Sequence, residues 1–428
     1  MTDTTEPIAP RRAEARSYST RDPRSVGDRP GANQHDLGSF NEVAIIETIR
    51  QAGTISRTEI AERTGLTQQS VSRILRVLLE RGLLAEGEQQ RTERLGKPRT
   101  PVRLRPEAAH AAGILVDPEV ISVVLVDLDG RVLEHRSVRL DHEVSPTGLV
   151  EFIATQVEEV LEAAAVDRTT FLGVGVAVPG PITGDGSLLD LPLSKVWRNV
   201  PLERMLEERL PYPVVVEKDG TAAAVGERWL GRTSRSTDFA YLYFGTGMGS
   251  GLVLNGEAFR GMSGNAGEFG QLCAVRLGRV DGDGRPELVR ECNPTVAIPE
   301  IARELGYDGP ARTYREFCAE IATGDETVIA AVQQVADVIA LGAAALIDLL
   351  DLPMVVVGGP TFEPELRDLV METIERAVNT FPTAHRARHV SVERSVVSGE
   401  AGAVGAASTI FHASFAPVVR RTRPYDLR

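Results

Sequence analysis

Tyr241-Leu242-Tyr243-Phe244-Gly245-Thr246-Gly247-Met248-Gly249-Ser250-Gly251-Leu252-Val253-Leu254 is the stretch on which the fold turns. An apolar run enters a loop with glycine at every second position and leaves as a further apolar run. Without a Cβ, such a loop lets backbone amides approach a phosphate, although strand-turn-strand packing alone can also require glycine there. Gly358-Gly359-Pro360 follows the short apolar run Met354 to Val357 in the same way. Two glycine-rich loops leaving strands predict an α/β body with a cleft between two lobes.

The neighbouring segments read in the same sense. Gly113 to Val116 and Val120 to Val126 are strand-like, and Asp127-Leu128-Asp129-Gly130 is a turn signal. Gly173-Val174-Gly175-Val176-Ala177-Val178-Pro179-Gly180-Pro181 reads as a buried strand entering a tight turn. Val214 to Val216 is another short strand, followed by Glu217-Lys218-Asp219-Gly220 and a helix from Thr221 to Leu230.

The first hundred residues differ in kind. Residues 1–39 are rich in Arg, Asp, Pro, Ser and Thr with almost no apolar periodicity, which predicts a flexible, solvated tail whose arginines could also touch DNA. Val43, Ile45, Ile46 and Ile49 then form a helix face ending near Gly53. Ser56-Arg57-Thr58-Glu59 is a capping-box signature, and Gly65-Leu66-Thr67 stops one helix and starts the next. In that third helix Val71, Ile74, Leu75 and Leu78 form one stripe, which turns Gln68, Gln69, Ser70, Ser72, Arg73 and Arg76 outward. Glutamine pairs with adenine and arginine with guanine, so this face suits a helix-turn-helix reading a duplex. The basic stretch Arg91 to Arg99, with Val102-Arg103-Leu104 behind it, reads as a wing carrying Arg94, Lys97 and Arg99. Ser56, Arg57 and Thr67 complete the candidate DNA-binding set. The competing reading is an ordinary three-helix cap with a solvated polar face; the coincidence of capping box, turn, polar face and basic wing favours DNA.

Charge supports the division. The chain carries −13 overall, yet residues 41–105 hold twelve Lys and Arg against eight Asp and Glu, leaving −17 on residues 106–428. A basic module on an acidic body is the asymmetry expected when one end meets a polyanion. Three cysteines are too few for a disulfide framework, and no run approaches the roughly 18 apolar residues of a membrane span. Residues 1–10 lack the basic-then-apolar order of a signal peptide, so a cytoplasmic, nucleoid-associated protein is expected.

Taken in order, Gly175 to Pro181, Asp219 before an alanine-rich helix, Gly245 to Gly251, Gly261-Met262-Ser263-Gly264-Asn265-Ala266-Gly267-Glu268-Phe269-Gly270 and Gly358-Gly359 resemble the ROK family (repressor, open reading frame, kinase). Its members are sugar kinases, or repressors that add an N-terminal winged helix, and the resemblance spans Asn41 to Phe415. It implies two ribonuclease-H-like lobes of the actin and hexokinase type, with a last helix near Glu400 to His412 packing back on the first lobe. The domains expected are therefore a tail (1–39), a winged helix-turn-helix (40–106), a first lobe (107–230, completed by 396–428) and a second lobe (231–395).

Phosphoryl transfer needs a loop that approaches phosphates and a base for the attacking hydroxyl. The resemblance places an Asp-x-Gly-Gly-Thr loop where this chain has Leu115-Val116-Asp117-Pro118-Glu119. Proline removes a donor and two carboxylates repel a nucleotide, so no productive ATP site, no cofactor and no catalytic residue are expected. Asp219 matches the family's catalytic aspartate; here it reads either as an acceptor for a ligand hydroxyl or as a cap on the helix beginning at Thr221. Glu268 matches a sugar-hydroxyl ligand. Gln271 stands where the family has a zinc-binding histidine, and only Cys273 and Cys292 remain of a cysteine cluster, so no zinc is expected. Lys218 stands in place of an asparagine, which suggests either an anionic sugar derivative or merely a shifted pocket. The candidate ligand set is Asn199, Lys218, Asp219, Gly264, Asn265, Glu268, Gln271 and Asn293.

The function expected is a transcriptional regulator, a repressor by type, acting as a homodimer or homotetramer on double-stranded DNA and sensing a sugar or sugar derivative, with no membrane partner. The alternatives are an active ATP-dependent sugar kinase with an accessory DNA module, and a regulator that responds to no ligand.

Overall fold

The computed structural model describes residues 34–87, 100–117, 120–139, 144–183, 186–190, 197–231, 237–287 and 289–415. Arg94, Lys97 and Arg99 of the expected wing tip, and Pro118 and Glu119, lie outside the described residues.

The chain begins with α1 (Gln34–Ala52), α2 (Arg57–Thr64) and α3 (Gln68–Glu80), followed by an antiparallel ribbon of β1 (Leu84–Glu86) and β2 (Val102–Leu104). Ile45, Ile46 and Ile49 of α1 meet Ile60 of α2 and the Val71, Ile74, Leu75 and Leu78 stripe of α3 in one core. Each such burial contributes about 1.5–3 kcal/mol, enough together to hold a small head. Ile55 exchanges both backbone hydrogen bonds with Val102 (3.0 and 2.8 Å), which fastens the ribbon to the helices. α1 starts at Gln34, inside the segment expected to be a flexible tail. Adding turns to an existing helix costs far less than nucleating one, so it extends beyond its apolar stripe.

The first lobe contains β3 (His110–Val116), β4 (Val120–Asp127), β5 (Val132–Arg139), α4 (Pro146–Ala163), β6 (Phe171–Val178), the short pair β7 (Leu188–Asp190) and β8 (Arg198–Val200), α5 (Leu202–Arg209), β9 (Val214–Lys218) and α6 (Asp219–Leu230). The second contains β10 (Phe239–Phe244), β11 (Met248–Leu254), β12 (Glu257–Ala258), α7 (Phe269–Leu277), α8 (Pro294–Glu304), α9 (Tyr314–Thr323), α10 (Glu326–Leu350), β13 (Met354–Gly358), α11 (Arg367–Val378) and β14 (Ser391–Arg394), and α12 (Ala401–Phe415) closes the described chain. The sheets run β5-β4-β3-β6-β9 and β12-β11-β10-β13-β14, the same plan twice: an antiparallel meander, then two parallel strands. This is the ribonuclease-H-like pair of lobes that the resemblance implied.

α12 lies across β3 and β6, as expected for a helix returning to the first lobe. Glycine makes that packing possible. A Cβ on Gly175 would stand 1.8 Å from the Ala406 carbonyl oxygen, far inside any contact distance. α6, assigned from sequence to the first lobe, is in fact shared: one face packs on α12 and another on β10 and β11 of the second lobe. α10 is long and apolar enough to cross a membrane, but it is largely buried, with Ile339, Ala343 and Ile347 inside the second lobe's core.

Candidate functional site

Two surfaces carry chemistry. On α3 the sequence signals are borne out locally. Ser56 accepts from the Glu59 amide (3.3 Å) while Glu59 Oε2 accepts from the Ser56 amide (2.9 Å), and Thr67 caps α3 by accepting from the Ser70 amide (3.2 Å). Gln68, Gln69, Ser72, Arg73 and Arg76 are exposed on α3, opposite its buried stripe. Ser70 is half-buried, its hydroxyl accepting from Thr67 Oγ1 (3.0 Å). Ser56 departs from the expectation. It is only 7% exposed and its hydroxyl also donates to Glu59 (2.6 Å), so its chemistry is spent on the cap and it cannot reach a duplex. Arg57 is exposed but reaches across to Glu86 on β1 (3.0 Å), linking α2 to the base of the wing.

The second surface is the cleft. β9 ends at Lys218 and α6 begins at Asp219 with no intervening turn, two residues earlier than the sequence suggested. Asp219 is therefore the first helical residue and not a cap; its carboxylate accepts from the adjacent Gly220 amide at 2.6 Å and faces Gly249 of the glycine-rich loop. Burial pushes its carboxyl up to about 7; the Gly220 amide and Lys218 oppose the shift, and Asp117 and Glu268 add to it. Lys218 is buried and forms a salt bridge with Glu268 across the cleft, with a further contact to the Ala266 carbonyl (3.4 Å). Its charge is thus already neutralised inside the protein, which removes the argument for an anionic ligand drawn from the lysine alone.

Further contacts bridge the lobes. Asn265 Nδ2 donates to the Ile182 carbonyl (2.6 Å) and its Oδ1 accepts from the Ile182 amide (2.8 Å), so this amide serves as a clasp between loops. Arg260 donates to buried Glu217 (2.5 Å). Thr246 donates to Asp117 (2.9 Å), placing a carboxylate against the glycine-rich loop where a nucleotide would need amides. Behind Asp117, Leu115 packs against α12 at Gly402, and the buried Tyr243 hydroxyl lies beside the same glycine. Asn293 accepts from Thr295 (3.1 Å), which contacts the Thr246 carbonyl (3.4 Å), so it stands beside this loop.

The remaining candidates scatter. Gly264 is half-buried beside Ile182, with a positive φ of 87° that favours glycine. Gln271 is exposed on α7, and Asn199 is exposed on β8, outside both five-stranded sheets. Cys273 and Cys292 are buried free thiols; the bond to Cys292, together with burial, pushes the Cys273 thiol far up. Among the described residues no group of three or more His, Cys, Asp or Glu is arranged to hold a metal.

The site also contains residues that sequence reasoning did not single out, notably Thr246, Tyr243 and Ile182. The signals of Thr246 and Ile182 were weak because each acts through a partner distant in sequence, and that of Tyr243 because its place beside Gly402 is set by the packing of α12.

The ROK family model matches residues 112–413. The chain belongs to the ROK family. A MarR family model matches residues 39–95, covering the helical head. With such a head in front of a ROK body, the chain is a transcriptional regulator of the ROK family. A xylose repressor from Caldicellulosiruptor bescii is 24% identical over 351 residues, covering 78% of this chain and 88% of that one. The crystal structure of a ROK family transcriptional regulator, a homologue of the Escherichia coli MLC protein, superposes with a TM-score of 0.71 at 20% identity, over 89% of this chain and 97% of the other; it establishes the shared fold. A ROK family glucokinase from Streptomyces griseus, in complex with glucose and AMPPNP, matches at 25% identity and a TM-score of 0.60, over 70% of this chain and 99% of its own. That match covers a smaller share of this chain than the regulator does.

Proposed function

We propose that this ROK regulator is a repressor that reads double-stranded DNA through α3 and senses a sugar or sugar derivative in the interlobe cleft without phosphorylating it. The observation that carries the DNA reading is the exposed set Gln68, Gln69, Ser72, Arg73 and Arg76, backed by a buried stripe that fixes its direction. Arg94, Lys97 and Arg99 would add backbone or minor-groove contacts from the wing. Half-sites lie about 34 Å apart per helical turn, so paired heads call for a homodimer or homotetramer. The name of the Caldicellulosiruptor relative supports a pentose or similar sugar as ligand.

Within the cleft, Asp219, Glu268, Lys218 and Asn293 are the groups we assign to ligand hydroxyls, with Asn265 and Gly264 shaping the loop beside them; Asn199 and Gln271, exposed and apart from this group, are the outlying members of the proposed set. The absence of kinase activity is supported by the Asp117–Thr246 bond and by Leu115, an apolar side chain where the family's kinases carry a carboxylate. A chain of this kind acts in the cytoplasm, on the nucleoid.

A mobility shift on the DNA upstream of its own gene, repeated with D-xylose, D-glucose and sugar phosphates, tests the reading. Retardation at low salt that a sugar alters is expected. Indifference to every duplex would overturn it.

A further inference from the structure

The head is held against the body at one end of α6. Arg228 donates to Glu47 of α1 at 2.6 Å, and His412 of α12 meets the same carboxylate at 3.2 Å. Three residues along α1, the Arg50 guanidinium lies 4.5 Å above the ring of Trp229, which in turn stacks on Phe411 at 5.5 Å. Glu47 is 8% and Arg50 1% exposed, so the α1 side of this contact is removed from water, and Arg228 and His412 on the body side are half-buried. Burial pushes the Glu47 carboxyl up, but His412, Arg228 and Arg50 outweigh it and hold it below its usual range. Charge-assisted contacts of this kind, out of water, fix a relative orientation tightly.

The opposite end of α6 is the cleft. Lys218 and Asp219 stand there, at the other end of the 12-residue helix and about 15 Å from Arg228 and Trp229. α6 cannot bend or slide alone. A Cβ on Gly405 of α12 would stand 1.6 Å from the Ala222 carbonyl oxygen, and one on Gly226 would stand 2.8 Å from the Ala401 carbonyl oxygen, so the two helices interlock without room for a methyl group. The helix also answers to the second lobe, because the fully buried Glu227 accepts from Ser395 Oγ (2.7 Å) and the Val396 amide (3.0 Å). A cavity of about 450 Å³ flanks the joint, with Val225, Arg228, Glu257 and His412 in its walls, so this end of the helix has space to shift.

Resting on the sugar-sensing reading above, we propose that α6, locked to α12, is the rod that carries ligand-driven lobe movement to the DNA head, and that Glu47–Arg228–His412 with Arg50–Trp229 is the joint that turns α1. Packed cores respond to small displacements by moving elements as units, which suits a rod with one end in a cleft and the other in a joint.

The test uses the full chain, the DNA upstream of its gene, and D-xylose and D-glucose as probes. Calorimetry reads sugar binding, a mobility shift reads DNA affinity, and emission from Trp229 reads the joint in a Trp197→Phe background, since the chain has two tryptophans. A sugar that binds is expected to change the Trp229 emission and shift DNA affinity about tenfold. The double variant Arg228→Lys, His412→Gln is expected to bind sugar and ligand-free DNA within about twofold of the parent while the sugar-induced shift falls below about twofold. A full shift in that variant, or a silent Trp229 with sugar bound, overturns the proposal. If neither sugar binds, the sensing reading fails for these sugars and the rod is judged without ligand. Lys218→Met at the cleft end should then alter DNA affinity with the joint intact and leave it unchanged in the double variant; equal effects in both backgrounds overturn the rod.

Discussion

Thr246 donates its hydroxyl to Asp117 at 2.9 Å, tying the glycine-rich loop of the second lobe to the first turn of the first. In a kinase these two loops meet through the phosphates of a nucleotide. Here they meet through a carboxylate, and a nucleotide would have to displace that bond and then face the charge it left. The full chain with ATP, magnesium and a panel of sugars should therefore release no sugar-dependent ADP. Turnover near 1 s⁻¹, the low end for kinases, would show that the cleft still performs phosphoryl transfer.

The buried and exposed faces of α3 separate two kinds of mutation. Gln68→Ala or Arg73→Ala should weaken binding to the operator by about 1–3 kcal/mol and relax its preference at one base pair, because each removes a group able to pair with a base edge. Ser56→Ala should leave base preference alone and lower the stability of the head by about 1 kcal/mol, since its hydroxyl caps α2. Competition mobility shifts and thermal melting distinguish the two.

Asp219 makes stability fall as pH rises. Its folded-state pKa of about 7 lies above the ordinary aspartate value of 3.8, so between these pH values the folded chain holds a proton that the unfolded chain releases. The stabilisation from this group is complete below pH 4 and is lost as pH climbs through 7, an effect of at most about 4 kcal/mol. Asp219→Asn should flatten that part of the profile and raise the melting temperature at pH 8. A variant that melts below the parent at pH 8 would mean the charged carboxylate is well accommodated after all.

Gly405 tests the interlock of α6 and α12. Gly405→Ala places a methyl group against the Ala222 carbonyl, where no side-chain rotation can relieve it, and should destabilise the fold by about 3 kcal/mol in urea titrations. Gly278→Ala, with nothing within 4 Å but a φ of 66°, is the comparison; its cost is the backbone conformation alone, about 1 kcal/mol.

Much of this protein was determined by short stretches of sequence. The capping box at Ser56 and Glu59, the cap at Thr67 and the apolar stripe of α3 involve residues within a few positions of one another, and the structure reproduces them. The glycine-rich loops and the last helix were legible for a related reason: close backbone approach leaves glycine as the marker. α4, β5 and the 25-residue α10 were not singled out. α10 is apolar at most of its positions, and its place inside the second lobe depends on residues distant in sequence.

The tertiary structure alone decided which polar groups remain available. It sets Lys218 against Glu268, so that the lysine brings no unpaired charge to the cleft, and it commits Asn265 to the backbone of Ile182. It also decided that α6 serves both lobes and that Arg228 meets Glu47, 181 residues away. A local pattern fixes which face of an element is apolar, because that depends only on helical or strand period. Which charge lies opposite another across a cleft or a domain joint depends on how whole elements pack, and no local pattern encodes it.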